Sequence, residues 1–250
     1  MKLSVIIPTR NEARNIRACL EPLLPFSARG ALEIIVVDNS SPDGTAGLAA
    51  AAGVRVVTQG PERSAQRNRG ALVEAAADFV MFVDADMRVG APLVEEILGL
   101  VSAADAPDVL YIREEIAGRG FWARVRNFER SFYDGTCIDG LRVFRRALLK
   151  EVGGFDEALY AAEDWDLDRR VLARTARVAI TKGALLHDEG DFSLGKYLGK
   201  KGYYAGNLDR YIGKWGNDAV CRRQFGLAYR FWTVFMEDGK WRRSLRRPDL

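Results

Sequence analysis

Three short apolar runs near the N-terminus constrain this chain more than any other feature. They are Leu3–Pro8 (LSVIIP), Glu33–Asp38 (EIIVVD) and Phe79–Asp84 (FVMFVD). Each is nearly continuous Val, Ile, Leu, Met and Phe, with no alternation of apolar and polar residues. Strands covered by helices on both faces of a parallel sheet have this composition, because neither face meets water. A fourth run, Val54–Thr58, fits the same sheet. Between the runs lie helix-forming stretches, Asn11–Leu24, Asp43–Ala52 and Ser64–Ala77. In the first of them Ala13, Ile16, Leu20 and Leu24 fall near helical spacing. The alternation predicts an α/β fold of the doubly wound type.

The second half reads differently. Strands are predicted over Asp108–Ile116, Leu141–Arg145, Arg177–Thr181 and Ala184–His187, and helices over Phe121–Tyr133, Arg146–Val152 and Glu163–Thr175. Gly153 and Gly154 break the chain between the last two helices. A further amphipathic helix is expected over Gln224–Met236.

With 250 residues, 48% of them hydrophobic, the chain suits one large domain, or one domain with an appendage, and a core that needs no covalent staple. Cys19, Cys137 and Cys221 are odd in number and form no C-x-x-C pair, so neither a disulfide frame nor a zinc site is expected. The first apolar run is too short for a signal peptide, and no run of 18 apolar residues occurs. A cytoplasmic location is the expectation. The net charge of +3 is unevenly placed: residues 191–250 hold 13 Lys or Arg against 6 Asp or Glu, and the first 190 residues hold 24 against 28. A basic tail of this kind either meets an anionic partner or is a solvated helical surface.

The chemistry falls at the strand ends. The first run ends at Pro8-Thr9-Arg10, the second at Asp38-Asn39 and the third at Asp84-Ala85-Asp86. In open α/β sheets the ligand crevice lies beyond the carboxyl ends of the strands, so these residues are expected to share one crevice. Two carboxylates at i and i+2 are hard oxygen donors, suited to Mg2+ or Mn2+ carrying substrate phosphates. The same triplet also suits an exposed turn. Asp38 can accept from a base or ribose, or can start an Asx turn into Ser40-Ser41-Pro42-Asp43-Gly44. Arg67 can face a base or phosphate, or stand as a solvated cation. His187, the one histidine, is either a metal ligand or a packed or solvated side chain. Glu163, Asp164, Asp166 and Asp168 crowd a predicted helix start, which its dipole favours, and Asp166 and Arg170 have the spacing of a surface pair.

In order along the chain stand Pro8-Thr9-Arg10-Asn11-Glu12, Val37-Asp38-Asn39-Ser40-Ser41, Asp43-Gly44-Thr45, Gln66-Arg67-Asn68-x-Gly70 and Phe82-Val83-Asp84-Ala85-Asp86. Val152-Gly153-Gly154-Phe155-Asp156-Glu157 and Glu163-Asp164-Trp165-Asp166-Leu167-x-x-Arg170 follow. This series resembles the family 2 glycosyltransferases over roughly residues 3–190. The resemblance implies a GT-A fold, an inverting mechanism and a nucleotide diphosphate sugar as donor. Carried over by position, it implies that Pro8, Thr9, Arg10 and Glu12 line the nucleotide pocket, with Asp38 and Arg67 at the base. Asp84 and Ala85 would lie near ribose or sugar. Asp86, joined by His187, would hold Mn2+ or Mg2+, Asp164 would be the catalytic base, and Glu163 and Trp165 would lie on the acceptor side. The acceptor would be a hydroxyl group, lipid-linked or on a glycan.

On this reading residues 1–190 form the transferase domain, with a nucleotide-sugar half over 1–105 and an acceptor half over 106–190. Residues 191–250 form a helical, basic and aromatic extension. No Gln-x-x-Arg-Trp motif follows the base, so transfer of one or a few sugars is expected. Gly118–Ala123 and Gly190–Lys196 only imitate nucleotide-binding loops. The extension mixes cations such as Lys196, Lys200, Lys201, Arg222, Arg223, Arg242, Arg243, Arg246 and Arg247 with Tyr197, Tyr203, Tyr204, Tyr211, Phe231, Trp232, Phe235 and Trp241. Packing beneath the acceptor site and peripheral contact with an anionic membrane both suit that mixture. No nucleic-acid partner is expected. The competing functions are a non-catalytic module that binds nucleotide sugar or membrane, and a metal-dependent nucleotidyltransferase.

Overall fold

The apolar runs become neighbouring strands of one sheet in the computed structural model, which describes residues 2–118, 120–188 and 208–245. Strand β1 (Leu3–Thr9) pairs in parallel with β2 (Leu32–Asp38) on one side and β4 (Phe79–Phe82) on the other, and β3 (Arg55–Thr58) extends the sheet beyond β2. Every residue of β1 is buried. Beyond β4 come β7 (Leu141–Arg145), β6 (Val109–Ile116), β8 (Val178–His187) and β5 (Met87–Arg88), giving the order β3-β2-β1-β4-β7-β6-β8-β5. The expected parallel arrangement thus holds from β3 to β4. It gives way to a mixed sheet where β7 pairs antiparallel with both β4 and β6.

Alternate residues of the central strands enter separate cores, as the two-residue period of a strand requires. Val5, Ile7, Ile34 and Val36 pack on one face with Leu20 and Phe26, and Ile6, Ile35 and Val37 pack on the other with Phe82, Phe144 and Leu167. The expected helix over Asn11–Leu24 is instead a turn followed by α1 (Ile16–Leu20) and α2 (Leu24–Ala28). Pro22 and Pro25 lack the N–H groups that a continuous ladder needs. Helices α3 (Thr45–Ala51) and α4 (Arg63–Asn68) follow, and α4 runs on as a π-helical turn to Glu74.

Helix α5 (Ala91–Ser102), for which no expectation was formed, buries Leu93, Val94, Ile97 and Val101. Its Glu96 also clasps a distortion in β8, accepting from Lys182 N at 2.6 Å and Gly183 N at 2.9 Å. There Tyr111 faces Ile180 and Arg113 faces Ala184, so β8 carries extra residues against β6. The two strands expected over Arg177–Thr181 and Ala184–His187 are therefore one bulged strand.

Helices α6 (Phe121–Arg130), α7 (Arg146–Glu151) and α8 (Glu163–Leu172) complete the layers. The described part of the extension is helical: α9 over 208–215, α10 (Ala219–Phe225), a π-helical turn over Tyr229–Thr233, α11 (Val234–Met236) and α12 (Arg242–Leu245). The helix expected over Gln224–Met236 is interrupted at Gly226, where a Cβ would lie 2.3 Å from the Arg222 carbonyl oxygen. Tyr211 and Cys221 pack with Leu159 and Trp165, docking the extension on α8. Lys196, Lys200, Lys201, Tyr197, Tyr203, Tyr204, Arg246 and Arg247 lie outside the described residues. Among the described residues no helix is long and apolar enough to cross a membrane.

Candidate functional site

The parallel register of β1 and β2 sets Thr9 opposite Asp38. Thr9 Oγ1 donates to Asp38 Oδ1 at 2.8 Å, and Ser41 donates to the same carboxylate from its backbone N at 2.7 Å and its hydroxyl at 2.6 Å. Asp38, which is buried, thus holds the following loop through Ser41, three residues on, and not through the i to i+2 bond of an Asx turn. Gln66, also buried, ties the strand ends together by donating to the carbonyls of Thr9 at 2.9 Å and Val37 at 2.6 Å. Pro8 is buried, whereas Arg10 is exposed beside Asn11, whose φ of 59° turns the chain towards Glu12. Burial raises the Glu12 carboxyl above its usual range, and the charges of Asp86 and Asp84 push the same way against a hydrogen bond from Asn15.

Arg67 is not a solvated cation. Only 3% exposed, it donates from Nη2 to Asp84 Oδ1 and from Nη1 to Asp164 Oδ1, both at 2.9 Å, with Glu163 Oε1 at 3.7 Å. Its Nε finds no protein partner. Burial alone would make this guanidinium easier to deprotonate, and the three carboxylates outweigh it. In turn burial would raise the Asp84 carboxyl, but Arg67, then Arg63 and Arg142, hold it well below the usual range. Asp164 stands in the first turn of α8 with its side chain 45% exposed. Glu163 beside it is buried and accepts from Arg63 at 3.1 Å, with burial and the Asp164 charge raising its carboxyl.

Strand pairing builds a second cluster. Antiparallel β5 and β8 set Met87 opposite His187, which brings His187 Nε2 within 3.3 Å of Asp86 Oδ2. Nδ1 of the same ring meets Glu114 Oε1 at 2.6 Å, and Glu114 Oε2 accepts from Arg142 at 3.0 Å. Burial opposes charge on the imidazole, yet Asp86 and Glu114 raise it to about 9. Burial would raise Glu114, and His187, Arg142 and Arg130 lower it to about 2.

These donors fit a divalent cation. Adjacent ligands of an octahedral ion with ~2.1 Å bonds lie about 3 Å apart. The Asp86–His187 separation is close to that value, and Glu114 beside Nδ1 orients the ring with Nε2 towards Asp86. Among the described residues no three such side chains converge on one point.

Trp165 faces away from this cluster. Its Nε1 donates to Ile138 O at 3.1 Å, and its ring packs edge-on against Tyr211 and Phe225. Asp166 and Arg170 do pair at 2.9 Å, but Asp166 is wholly buried and also accepts from Lys214 and Trp215, so the expected surface pair is an internal one. A cavity of about 700 Å3 lies beside α8, lined by Trp165, Asp168 and Trp215, and none of Asp38, Arg67, Asp84, Asp86 or Asp164 lines it. Sequence reasoning missed Gln66, Glu114 and Arg142 as parts of the site. Gln66 sat within the motif Gln66-Arg67-Asn68, whereas nothing in the charged stretch Arg113-Glu114-Glu115 marked one acid over the other.

Comparison with known proteins agrees with this fold. The chain is 28% identical over 229 residues to the pre-mycofactocin glycosyltransferase of Mycobacterium tuberculosis, covering 82% of this chain and 46% of that protein. It thus spans about half the length of that curated relative. Its fold resembles Staphylococcus aureus TarS in complex with UDP-GlcNAc, with a TM-score of 0.62, 24% identity, and coverage of 77% of this chain and 60% of that one. It also resembles the mannosyltransferase PcManGT of Pyrobaculum calidifontis in complex with GDP-Man and Mn2+, with a TM-score of 0.66, 21% identity, and coverage of 87% and 64%. The profile described as Glycosyl transferase family 2 matches residues 4–153, more than half of the chain and every strand-end motif from Thr9 to Asp86. By that match the chain belongs to glycosyl transferase family 2.

Proposed function

We propose that this chain transfers a sugar, with inversion, from a nucleotide diphosphate sugar to an acceptor hydroxyl. The observation that carries the reading is the shared guanidinium: Arg67 joins Asp84, at the end of the donor-side strands, to Asp164 at the start of α8. Family membership supports transferase chemistry, and the nucleotide sugars bound to TarS and PcManGT support the donor class.

On this reading Pro8, Thr9, Arg10, Glu12 and Asp38 form the nucleotide side, within residues 1–105. Asp84, kept ionised by Arg67, accepts hydrogen bonds from sugar or ribose hydroxyls, with Ala85 leaving room beside it. Asp86 and His187 would hold Mn2+ or Mg2+, whose charge would offset that developing on the departing diphosphate. Asp164 takes the proton of the acceptor hydroxyl on Oδ2, the oxygen that Arg67 leaves free, while Arg67 fixes the angle of the carboxylate. The acceptor oxygen then bonds to the anomeric carbon from the face opposite the breaking bond to diphosphate. Glu163 buttresses Arg67 from beneath, and Trp165 anchors the extension behind the acceptor half.

The test is Asp164→Asn, assayed over a panel of nucleotide sugars with Mn2+. Turnover should fall by about 10^2–10^4-fold while donor binding persists. Undiminished turnover with the preferred donor would remove Asp164 as the base. Release of nucleoside diphosphate, not pyrophosphate, separates this reaction from nucleotidyl transfer.

A further inference from the structure

The helix over 227–236 has one face committed to the protein and one face open. Inward, Tyr229 and Val234 are buried, and Phe235 packs on Phe132 with ring centroids 4.8 Å apart. Tyr133 Oη donates to the Arg230 carbonyl at 3.1 Å, and Lys240 Nζ donates to the Phe132 carbonyl at 3.0 Å. These contacts fix the rotation of the helix. Outward stand Leu227, Phe231 and Trp232, exposed at 71%, 73% and 71%, followed by Met236 at 48%. Residues four apart lie side by side on a helix, so Leu227 meets Phe231 and Trp232 meets Met236 in one apolar strip. Trp241 and Leu245 continue the exposed apolar surface into α12.

Arg222, Arg223, Arg242 and Arg243, close to this strip in sequence, are exposed. Arg222 donates to the Asn217 carbonyl, Arg230 to the Gln224 carbonyl and Arg243 to the Ser131 carbonyl. Arg223 and Arg242 lie over the rings of Tyr229 and Trp241. Among the described residues no carboxylate pairs with any of these five arginines. Carbonyls and ring faces position a guanidinium but leave its charge available to an anion. An open apolar strip with Phe and Trp, accompanied by exposed arginines that no described carboxylate pairs, matches the two layers of an anionic bilayer surface: acyl chains beneath, phosphates above.

We propose that the outer face of the 227–236 helix docks on a membrane rich in anionic phospholipid, with Phe231 and Trp232 inserted and Arg222, Arg223, Arg242 and Arg243 at the level of the phosphates. Docking is peripheral and reversible. It would bring the transferase to acceptors carried in that membrane, and it stands on its own if the transfer reaction is assigned otherwise. The proposal commits to lipid and not to a second copy of the chain, because a copy would bring the same positive charge to the contact.

Flotation of the full chain with vesicles tests it. Wild-type protein should rise with vesicles of phosphatidylcholine mixed with phosphatidylglycerol, should not rise with phosphatidylcholine alone, and should be released by high salt. The double variant Phe231→Ser, Trp232→Ser, altered only at exposed positions, should lose at least about tenfold in vesicle affinity. Wild-type protein that stays behind with the anionic vesicles overturns the proposal. So does a double variant that floats equally well, or a wild-type dimer that the same variant converts to monomer without any vesicle binding.

Discussion

Arg67 reaches Asp164 across 97 residues of sequence, Nη1 to Oδ1 at 2.9 Å, from a position almost closed to solvent. Its other terminal nitrogen holds Asp84 at the same distance. A planar fork aims a separate terminal nitrogen at each carboxylate in a fixed geometry, whereas an ammonium is a single point charge. Arg67→Lys should therefore keep the fold but lower turnover by about 10^2-fold through misplacement of Asp164. Arg67→Ala should cost about 3–5 kcal/mol of stability, because buried Glu163 and half-buried Asp84 lose their counter-ion. Thermal unfolding and steady-state rates measured side by side check both. Full activity in the lysine variant would deny Arg67 a positioning role.

Glu114 touches no proposed ligand of the cation except through His187. A carboxylate behind a ligating imidazole fixes ring orientation and strengthens the donor nitrogen. Glu114→Gln should weaken Mn2+ binding by about 10–100-fold. Direct titration of the protein with Mn2+ measures this, and an unchanged affinity would place the cation elsewhere.

Two acids, Asp168 buried and Asp139 half-buried, make stability depend on pH. Burial raises the Asp139 carboxyl to about 6 and raises Asp168 well above its ordinary value. Both titrate near 3.9 in an unfolded chain. Between about 4 and about 6 the folded protein binds the Asp139 proton more tightly than the unfolded chain does, so this group's contribution to stability falls as pH rises through that window. Asp168 adds to the same slope. Its Oδ2 accepts from Leu141 N at 3.0 Å, and its Oδ1 has no partner. Asn imitates the protonated acid and ionises in neither state, so Asp168→Asn should flatten the slope and raise stability at neutral pH relative to wild type. Melting temperature against pH for the two proteins would reveal it, and parallel curves would contradict the assignment.

Gly70 lets the α4 segment lie directly on the sheet. A Cβ there would sit 2.4 Å from Ile6 Cγ2. Gly70→Ala should destabilise by about 1–3 kcal/mol through overpacking, with no direct effect on the carboxylates. Urea unfolding measures the loss, and a neutral result would mean that the helix can lift from β1.

The N-terminal half was legible because its strands are buried on both faces and end in polar residues at one edge. The motif Gln66-Arg67-Asn68-x-Gly70 proved to be structural as well as polar. Gln66 ties two strands, Asn68 pairs with the backbone of Phe155, and Gly70 permits close packing. Helix α5 was also within reach, since Leu93, Val94, Ile97 and Val101 fall at helical spacing behind Pro92. Other features were hidden by their nature. Local spacing cannot report that β8 lies parallel to β6 but antiparallel to β5, nor that the extension would cover Asp166. Glu114 and Glu115 differ only in which side of the sheet they face, which depends on the register of a distant strand.

The bulge in β8 imposes a rule of parity on the chain. Side chains alternate along a strand, so the number of residues between Val178 and His187 decides which side of the sheet carries the imidazole. Between Ile180 and Ala184 the bulge adds an even number of residues relative to β6, and the alternation survives. Insertion or loss of a single residue there would swing His187 to the opposite surface, however well composition were preserved. The counting of residues in the segment that Glu96 clasps thus governs whether Asp86 meets His187.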